Sequence, residues 1–260
     1  MLITEELIRR LEESEAQRLA AIGRSSSGDV LAWCGGQAIC VGSDSPWSQC
    51  VGAGLDGDVS EESFRELEEF FFSRGADVEL KVSPLAHASL RRLAVRSAQR
   101  LDEFESILVR EPDLPASDWP PHVEVRPVAR GEEELYAMTV LRGFFGDDYP
   151  ESLLHATRSS CRSMNSIGYL ALFDGEPVGG ATLGVASGIV SLQGASVLPD
   201  YRNKGVHKAL QLARIQAARR YEPMAVTMSA LPGSISQLNA QKLGFTVAYT
   251  RPAFKWSANA

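Results

Sequence analysis

A chain of 260 residues with 44% hydrophobic and 23% charged residues has the composition of a globular protein and the length of two small domains. Its net charge of -7, without a long basic run, argues against nucleic acid as a partner, and no apolar stretch approaches the roughly 18 residues that cross a bilayer. Cys34, Cys40, Cys50 and Cys161 form no C-x-x-C pair and have no histidine at metal-ligand spacing. They are expected as free thiols in a reducing cytoplasm, with no metal site.

The chain opens on MLITEELIRRLEE, an acidic amphipathic helix without the features of a signal peptide. EESFRELEEFFFSRGA reads as a helix, with Phe70, Phe71 and Phe72 as core candidates. DVELKV reads as a strand, SPLAHASLRRLA as a short helix after a proline, and LDEFESILV as a closing strand. A break follows at 111–121, EPDLPASDWPP, where four of eleven residues are proline. Such a segment is neither helix interior nor central strand, so it is read as a linker between a first domain, 1–115, and a second, 122–260.

In the second domain VEVRPV alternates as a strand. ARGEEELYAMTVLRGFF is a helix, acidic early and basic late as the helix dipole favours. A second helix starts at Pro150. YLALFD and PVGGATLGV form a hairpin turning at Asp174–Gly175, and IVSLQGASV is the next strand. A long helix covers 203–221 with Val206, Leu210, Ala213 and Ala217 on one face. MAVTMS is a buried strand, SISQLNAQKL a short helix ended by Gly244, and FTVAYTR with AFKW closes the sheet. The predicted order is β-α-α-β-β-β-α-β-α-β, an α/β fold of mixed strand direction. The first domain repeats the later helix–strand–Pro–helix–strand pattern, which points to a divergent duplication.

The stretch that carries chemistry is SVLPDYRNKGVHKAL. A strand ends at Val197, Pro199 stops the ladder, and a short loop enters a helix. Such a junction leaves backbone N–H groups pointing together at the positive end of a helix dipole, which is an anion site. Arg202, Lys204 and Lys208 add positive charge, and Gly205 permits close approach of a ligand.

V-x-P-x-Y-R-x-K-G-V-x-K-A-L resembles the signature of the GNAT superfamily of acetyltransferases, and SISQLNAQKLGF resembles that family's later helix. The resemblance covers about the last 135 residues, in the family's element order. It implies acetyl-CoA as co-substrate and two GNAT-like domains in tandem, the first degenerate. That first domain has only the acidic VGAGLDGDVSEE before its helix, which would repel pyrophosphate. It further implies that Arg202, Asn203, Lys204, Gly205, Val206, His207 and Lys208 bind pyrophosphate. The backbone at Ser196, Val197 and Leu198 would hold pantetheine and polarise the acetyl carbonyl, and Ser236 and Asn239 would lie near the pantetheine arm.

The sequence departs from the family's pattern in three places. His207 stands where Gly or Ala is usual, either as a solvated helix residue or as a phosphate contact. Ala240 replaces the tyrosine that protonates the leaving thiolate, and the carboxylate of the preceding strand is missing, leaving Gln193. Tyr249 is either a core strand residue or a substitute acid. The base would be a water held by Gln193, or one of Asp147 and Asp148. Asp147 and Asp148 are either N-capping loop residues or part of an acceptor pocket. The expected activity is direct acetyl transfer from acetyl-CoA to the primary amine of a small molecule, by a cytoplasmic monomer or homodimer. The rival is a non-catalytic acyl-CoA-binding module.

Overall fold

A computed structural model describes residues 1–258 apart from positions 44 and 116. In chain order the first elements are α1 (Glu5–Ser25), β1 (Asp29–Trp33), β2 (Gly36–Cys40), β3 (Gln49–Val51), α2 (Glu61–Phe72), β4 (Val78–Lys81), α3 (Ala88–Ser97) and β5 (Arg100–Arg110). They are followed by β6 (Val123–Pro127), α4 (Glu133–Phe145), α5 (Glu151–Ser160), β7 (Ser166–Phe173), β8 (Glu176–Ala186) and β9 (Ile189–Val197). A 3-10 turn at Pro199–Tyr201 leads to α6 (Val206–Ala218), β10 (Ala225–Ala230), α7 (Ile235–Lys242) and β11 (Thr246–Trp256). The order expected for the second half is the order found. The hairpin β1–β2 and the short β3 have no counterpart in the sequence reading.

The chain divides into two compact units. The first is Met1–Leu108 with Ser229–Leu238 and Val247–Ala260; the second is Val109–Met228 with Asn239–Thr246. The C-terminal strand therefore departs from a division at 115 and 122. The reason is main-chain pairing: β11 runs antiparallel to β4, from Ala253↔Lys81 to Trp256↔Val78.

In the first unit α1 and α2 begin at side-chain caps. The Thr4 hydroxyl accepts from the Leu7 amide, and the Ser60 hydroxyl accepts from the Ser63 amide. β1 and β2 pair antiparallel, β2 and β3 pair antiparallel, and β3 meets β4 in parallel at Cys50↔Leu80. β11 lies between β4 and β5. The core on one face of this sheet gathers Trp33, Phe64, Phe71, Leu80, Leu90 and Trp256. The Phe64 and Trp256 rings stack at 5.5 Å. Phe70 and Phe71 are buried in this core and Phe72 packs against it, as read from the sequence.

The second unit has a similar plan with one more strand: three antiparallel steps, then a helix leading to a parallel strand. β6, β7, β8 and β9 pair antiparallel in sequence, and β10 joins β9 in parallel after α6. The β7–β8 turn falls at Asp174–Gly175, both with positive φ (49° and 90°). Tyr136, Ala137 and Val140 of α4 pack with Leu170 and Leu172 of β7. Among the described residues, no helix is long and apolar enough to cross a membrane. No group of three or more His, Cys, Asp or Glu side chains among them is arranged to hold a metal.

Candidate active site

The site is built around the end of β9. Parallel pairing of β10 with β9 runs from Ala225↔Ile189 to Thr227↔Ser191, and β9 continues beyond it to Val197. On the other edge, β9 is in register with β8 at Thr182↔Gln193 and again at Gly180↔Ser196. Two steps on β8 thus face three on β9, a β-bulge at Gly194–Ala195. Gly194 has φ 58°, and a Cβ placed there would meet nothing within 4 Å. The strand is bent at the point where its pairing with β10 has ended, with open space beside it.

The far end of β9 is stapled to α4. The Ser196 hydroxyl donates to the Val140 carbonyl at 2.8 Å. A Cβ on Gly143 would lie 2.6 Å from Ser196 Oγ and 3.1 Å from the Val197 amide nitrogen, so a glycine is required for this contact. The Leu198 amide is committed to the Val178 carbonyl. Ser196, Val197 and Leu198 therefore stand at the mouth of the site, with the Ser196 hydroxyl and the Leu198 amide already occupied.

The following loop leaves backbone donors open at a helix start. Asn203 and Gly205 both have positive φ, 63° and 83°. Gly205 is the N-cap of α6, and no side chain caps that helix. The amides of Val206, His207 and Lys208 have no intrahelical acceptor by the geometry of a first turn, so they are available to an anion at the positive end of the dipole. The contrast with the capped α1 and α2 is direct. A Cβ on Gly205 would also meet the Pro120 ring at 2.6 Å, so the linker itself requires glycine here.

The basic side chains of the loop divide into three roles. The Arg202 guanidinium donates to the Gly143 carbonyl at 2.9 Å and the Val197 carbonyl at 3.3 Å, joining α4 to β9. It acts as a strut, since the carbonyls left at the strand end and helix end need a donor and two of its N–H groups supply it, while the side chain as a whole stays exposed. The Lys204 ammonium lies over the Tyr201 ring at 4.9 Å and the Phe173 ring at 5.4 Å. Lys208 is half-exposed on the first turn of α6 and remains for a ligand. His207 is mostly enclosed. Burial, aided by the Arg214 charge, pushes its imidazole down to about 4, so it is neutral near pH 7 and carries no charge to a phosphate.

The remaining candidates are scattered. Gln193 is half-buried at the bulge, and its main-chain carbonyl accepts from Arg214 at 3.2 Å. Asp147 forms an ion pair with Arg142 at 2.8 Å, and Asp148 is exposed. Neither caps α5, whose N-cap is Pro150. Ser236 and Asn239 lie three residues apart on α7, both half-buried, and Ala240 is fully buried. Tyr249 belongs to the first unit, where its hydroxyl donates to Glu12 at 2.7 Å. Burial and the neighbouring Glu12 carboxylate raise its phenol well above the usual range. A buried phenol held by a carboxylate is a poor proton source, so Tyr249 is a core strand residue and not the substitute acid. Two contributors to the site escape sequence patterns: Pro120, which packs on Gly205, and Arg214, an arginine on the apolar face of α6.

Residues 135–245 match the acetyltransferase (GNAT) family model. That segment, less than half of the chain, is similar to GNAT acetyltransferases. The uncapped loop, the bulged β9 and its parting from β10 all fall inside that match. A GCN5-related N-acetyltransferase from Kribbella flavida has the same fold over nearly the whole chain. Its TM-score is 0.72 at 17% identity, covering 98% of this chain and 96% of that one. A GCN5-related N-acetyltransferase from Sphaerobacter thermophilus has a TM-score of 0.59 at 16% identity, covering 88% of this chain and 75% of that one. A tandem GNAT protein from the clavulanic acid biosynthesis pathway has a TM-score of 0.55 at 14% identity, covering 75% and 68%. No curated protein sequence matches the chain. The fold is thus GNAT-like beyond the segment that the family model covers.

Proposed function

We propose that the GNAT domain transfers the acetyl group of acetyl-CoA to the primary amine of a small-molecule acceptor, directly and within a ternary complex. The observation that carries this reading is the uncapped start of α6 behind Asn203 and Gly205. Three convergent amides at a helix N-terminus suit a pyrophosphate, with the half-exposed Lys208 beside them. From that anchor a pantetheine arm would follow β9 toward the bulge at Gly194, where backbone amides would polarise the thioester carbonyl.

The chain's own groups bear on each proton. A water held at Gln193, or the exposed Asp148 carboxylate, would take the proton of the attacking amine. At the leaving sulfur Ala240 is apolar and Tyr249 is committed to Glu12, so the thiolate leaves to solvent. Cys161 does not offer a covalent route. It is buried, its thiol donates to the Arg158 carbonyl, and burial pushes it up to about 11. The acceptor would enter at the α4–α5 loop with Asp147 and Asp148, a reading supported by the closeness of Gly143 on α4 to Ser196 and Val197.

The missing acid and base favour a second reading, an acyl-CoA-binding module without turnover. Isothermal titration with acetyl-CoA, followed by thiol release against a panel of amines, decides between them. Binding with amine-dependent release supports transfer; binding without release selects the module. Failure to bind acetyl-CoA overturns both readings.

A further inference from the structure

Arg214 is 1% exposed on α6, at a position whose neighbours Leu210, Ile215 and Ala218 are apolar core. Besides burial, the groups that act on its charge are the phenols of Tyr136 and Tyr169. A long cation without a carboxylate in such a place costs free energy unless its donors are met by well-placed acceptors. They are met by backbone. Nε donates to the Leu210 carbonyl at 2.9 Å, and Nη1 donates to the Thr182 carbonyl at 2.9 Å and the Gln193 carbonyl at 3.2 Å. Thr182 and Gln193 face each other in register at one side of the β9 bulge. The Thr182 side chain is held in turn by the Tyr136 hydroxyl at 2.6 Å.

A bulge disrupts the ladder and leaves carbonyls seeking donors. Arg214 supplies those donors from the helix that begins at the anion loop. One side chain therefore ties α6, β8 and β9 together at the place where β9 bends. It also puts a positive charge against the Gln193 carbonyl, next in the chain to Gly194. We propose that Arg214 is a positioning residue for the thioester, clamping the carbonyls beside the bulge so that the Gly194 and Ala195 amides stay aimed at the acetyl oxygen. Its buried charge adds attraction for the negative charge that develops there. This inference rests on acetyl-CoA occupying β9 as proposed above, and concerns the acetyl end of the molecule and not its pyrophosphate.

The test compares wild type, Arg214→Lys and Arg214→Met with two probes, CoA and acetyl-CoA labelled with carbon-13 at the thioester carbonyl. Binding to wild type is expected to move the carbonyl resonance downfield, as polarisation requires. In Arg214→Met most of that displacement is lost and acetyl-CoA binds about tenfold more weakly, while the CoA affinity changes less than about twofold. Arg214→Lys keeps the charge without the fork and falls between the two. A merely structural arginine would lower thermal stability while leaving the carbonyl resonance and the ratio of the two affinities in place, and that outcome overturns the proposal. If Arg214→Met does not fold, Arg214→Lys decides: an intermediate resonance supports the clamp, and a resonance identical to wild type refutes it. Wild type that binds neither probe would instead overturn the acetyl-CoA reading on which the inference stands.

Discussion

The Tyr249 hydroxyl donates to Glu12 Oε1 at 2.7 Å, across 237 positions of sequence, and both side chains are buried. Around this pair Arg251 reaches Glu12, Glu15 and Glu105, and Lys81 reaches Glu105 at 3.2 Å. The first unit thus contains an interior ion network that joins its opening helix to its last strand. Tyr249→Phe is expected to destabilise the protein by about 1–3 kcal/mol, because Glu12 loses one of its donors in the interior. Urea unfolding measures that loss. Acetyl transfer per folded molecule is expected to stay within about twofold, and a tenfold fall would restore the phenol to the chemistry.

The same network sets an acid limit. Burial opposes ionisation of Glu105, but the Arg251 guanidinium and the Lys81 ammonium outweigh it and hold the carboxyl down at about 2. A carboxylate with a depressed folded pKa adds stability that is present above its unfolded pKa and lost as pH falls toward the folded one. Between pH 4.5 and about 2 the unfolded chain takes up a proton that the folded chain refuses. Glu105→Gln is expected to remove up to about 1.4 kcal/mol per pH unit from the slope of stability in that window. Urea midpoints measured for both proteins at intervals from pH 5 to 3 would show it, and parallel slopes would contradict it.

His207 acts in a different window. Its folded pKa is pushed down to about 4 from an ordinary 6.5, first by burial and then by the Arg214 charge. Stability owed to the neutral ring is complete above pH 6.5 and declines as pH falls toward 4. His207→Ala is expected to flatten the stability curve across that range. It should leave the affinity for acetyl-CoA unchanged between pH 5.5 and 8 to within about twofold, since a neutral ring gives a phosphate no charge. An affinity that rises on acidification in wild type and not in the variant would place the imidazole against the phosphate after all.

Two changes at the loop separate charge from shape. Lys208→Glu puts an anion in the first turn of α6, where the dipole favours it by about 0.3–1 kcal/mol, so the fold should be unharmed. Acetyl-CoA affinity is expected to fall about tenfold, and the difference from wild type should shrink as salt rises. Gly205→Ala meets both a φ of 83° and the Pro120 ring. It is expected to cost about 1–3 kcal/mol of stability and to weaken binding without altered salt dependence. Titrations at two ionic strengths, with thermal unfolding alongside, distinguish the two effects. Equal salt dependence would mean that Lys208 does not face the pyrophosphate.

Much of this protein is legible in local patterns. The order of β6 to β11, the turn at Asp174–Gly175 and the end of α7 before Gly244 follow from periodicity and turn chemistry, which act over a few residues. The strand–Pro–loop–helix of SVLPDYRNKGVHKAL likewise announces a loop that enters a helix at Gly205, because proline and glycine act on their own backbone. What only the tertiary structure decided is where each long side chain is used. Arg202 reads as loop charge, yet it spends part of its fork on the carbonyls of Val197 and Gly143, and Arg214, which no sequence pattern singles out, is held in the interior by carbonyls beside the bulge. Strand alternation puts Tyr249 on a buried face but says nothing of Glu12. The C-terminal strand reads as the end of the second domain, but its backbone pairs with Val78–Lys81 of the first unit. Buried donors and acceptors must find partners wherever the fold brings them, and contacts made across more than a hundred residues leave no trace in a short window of sequence.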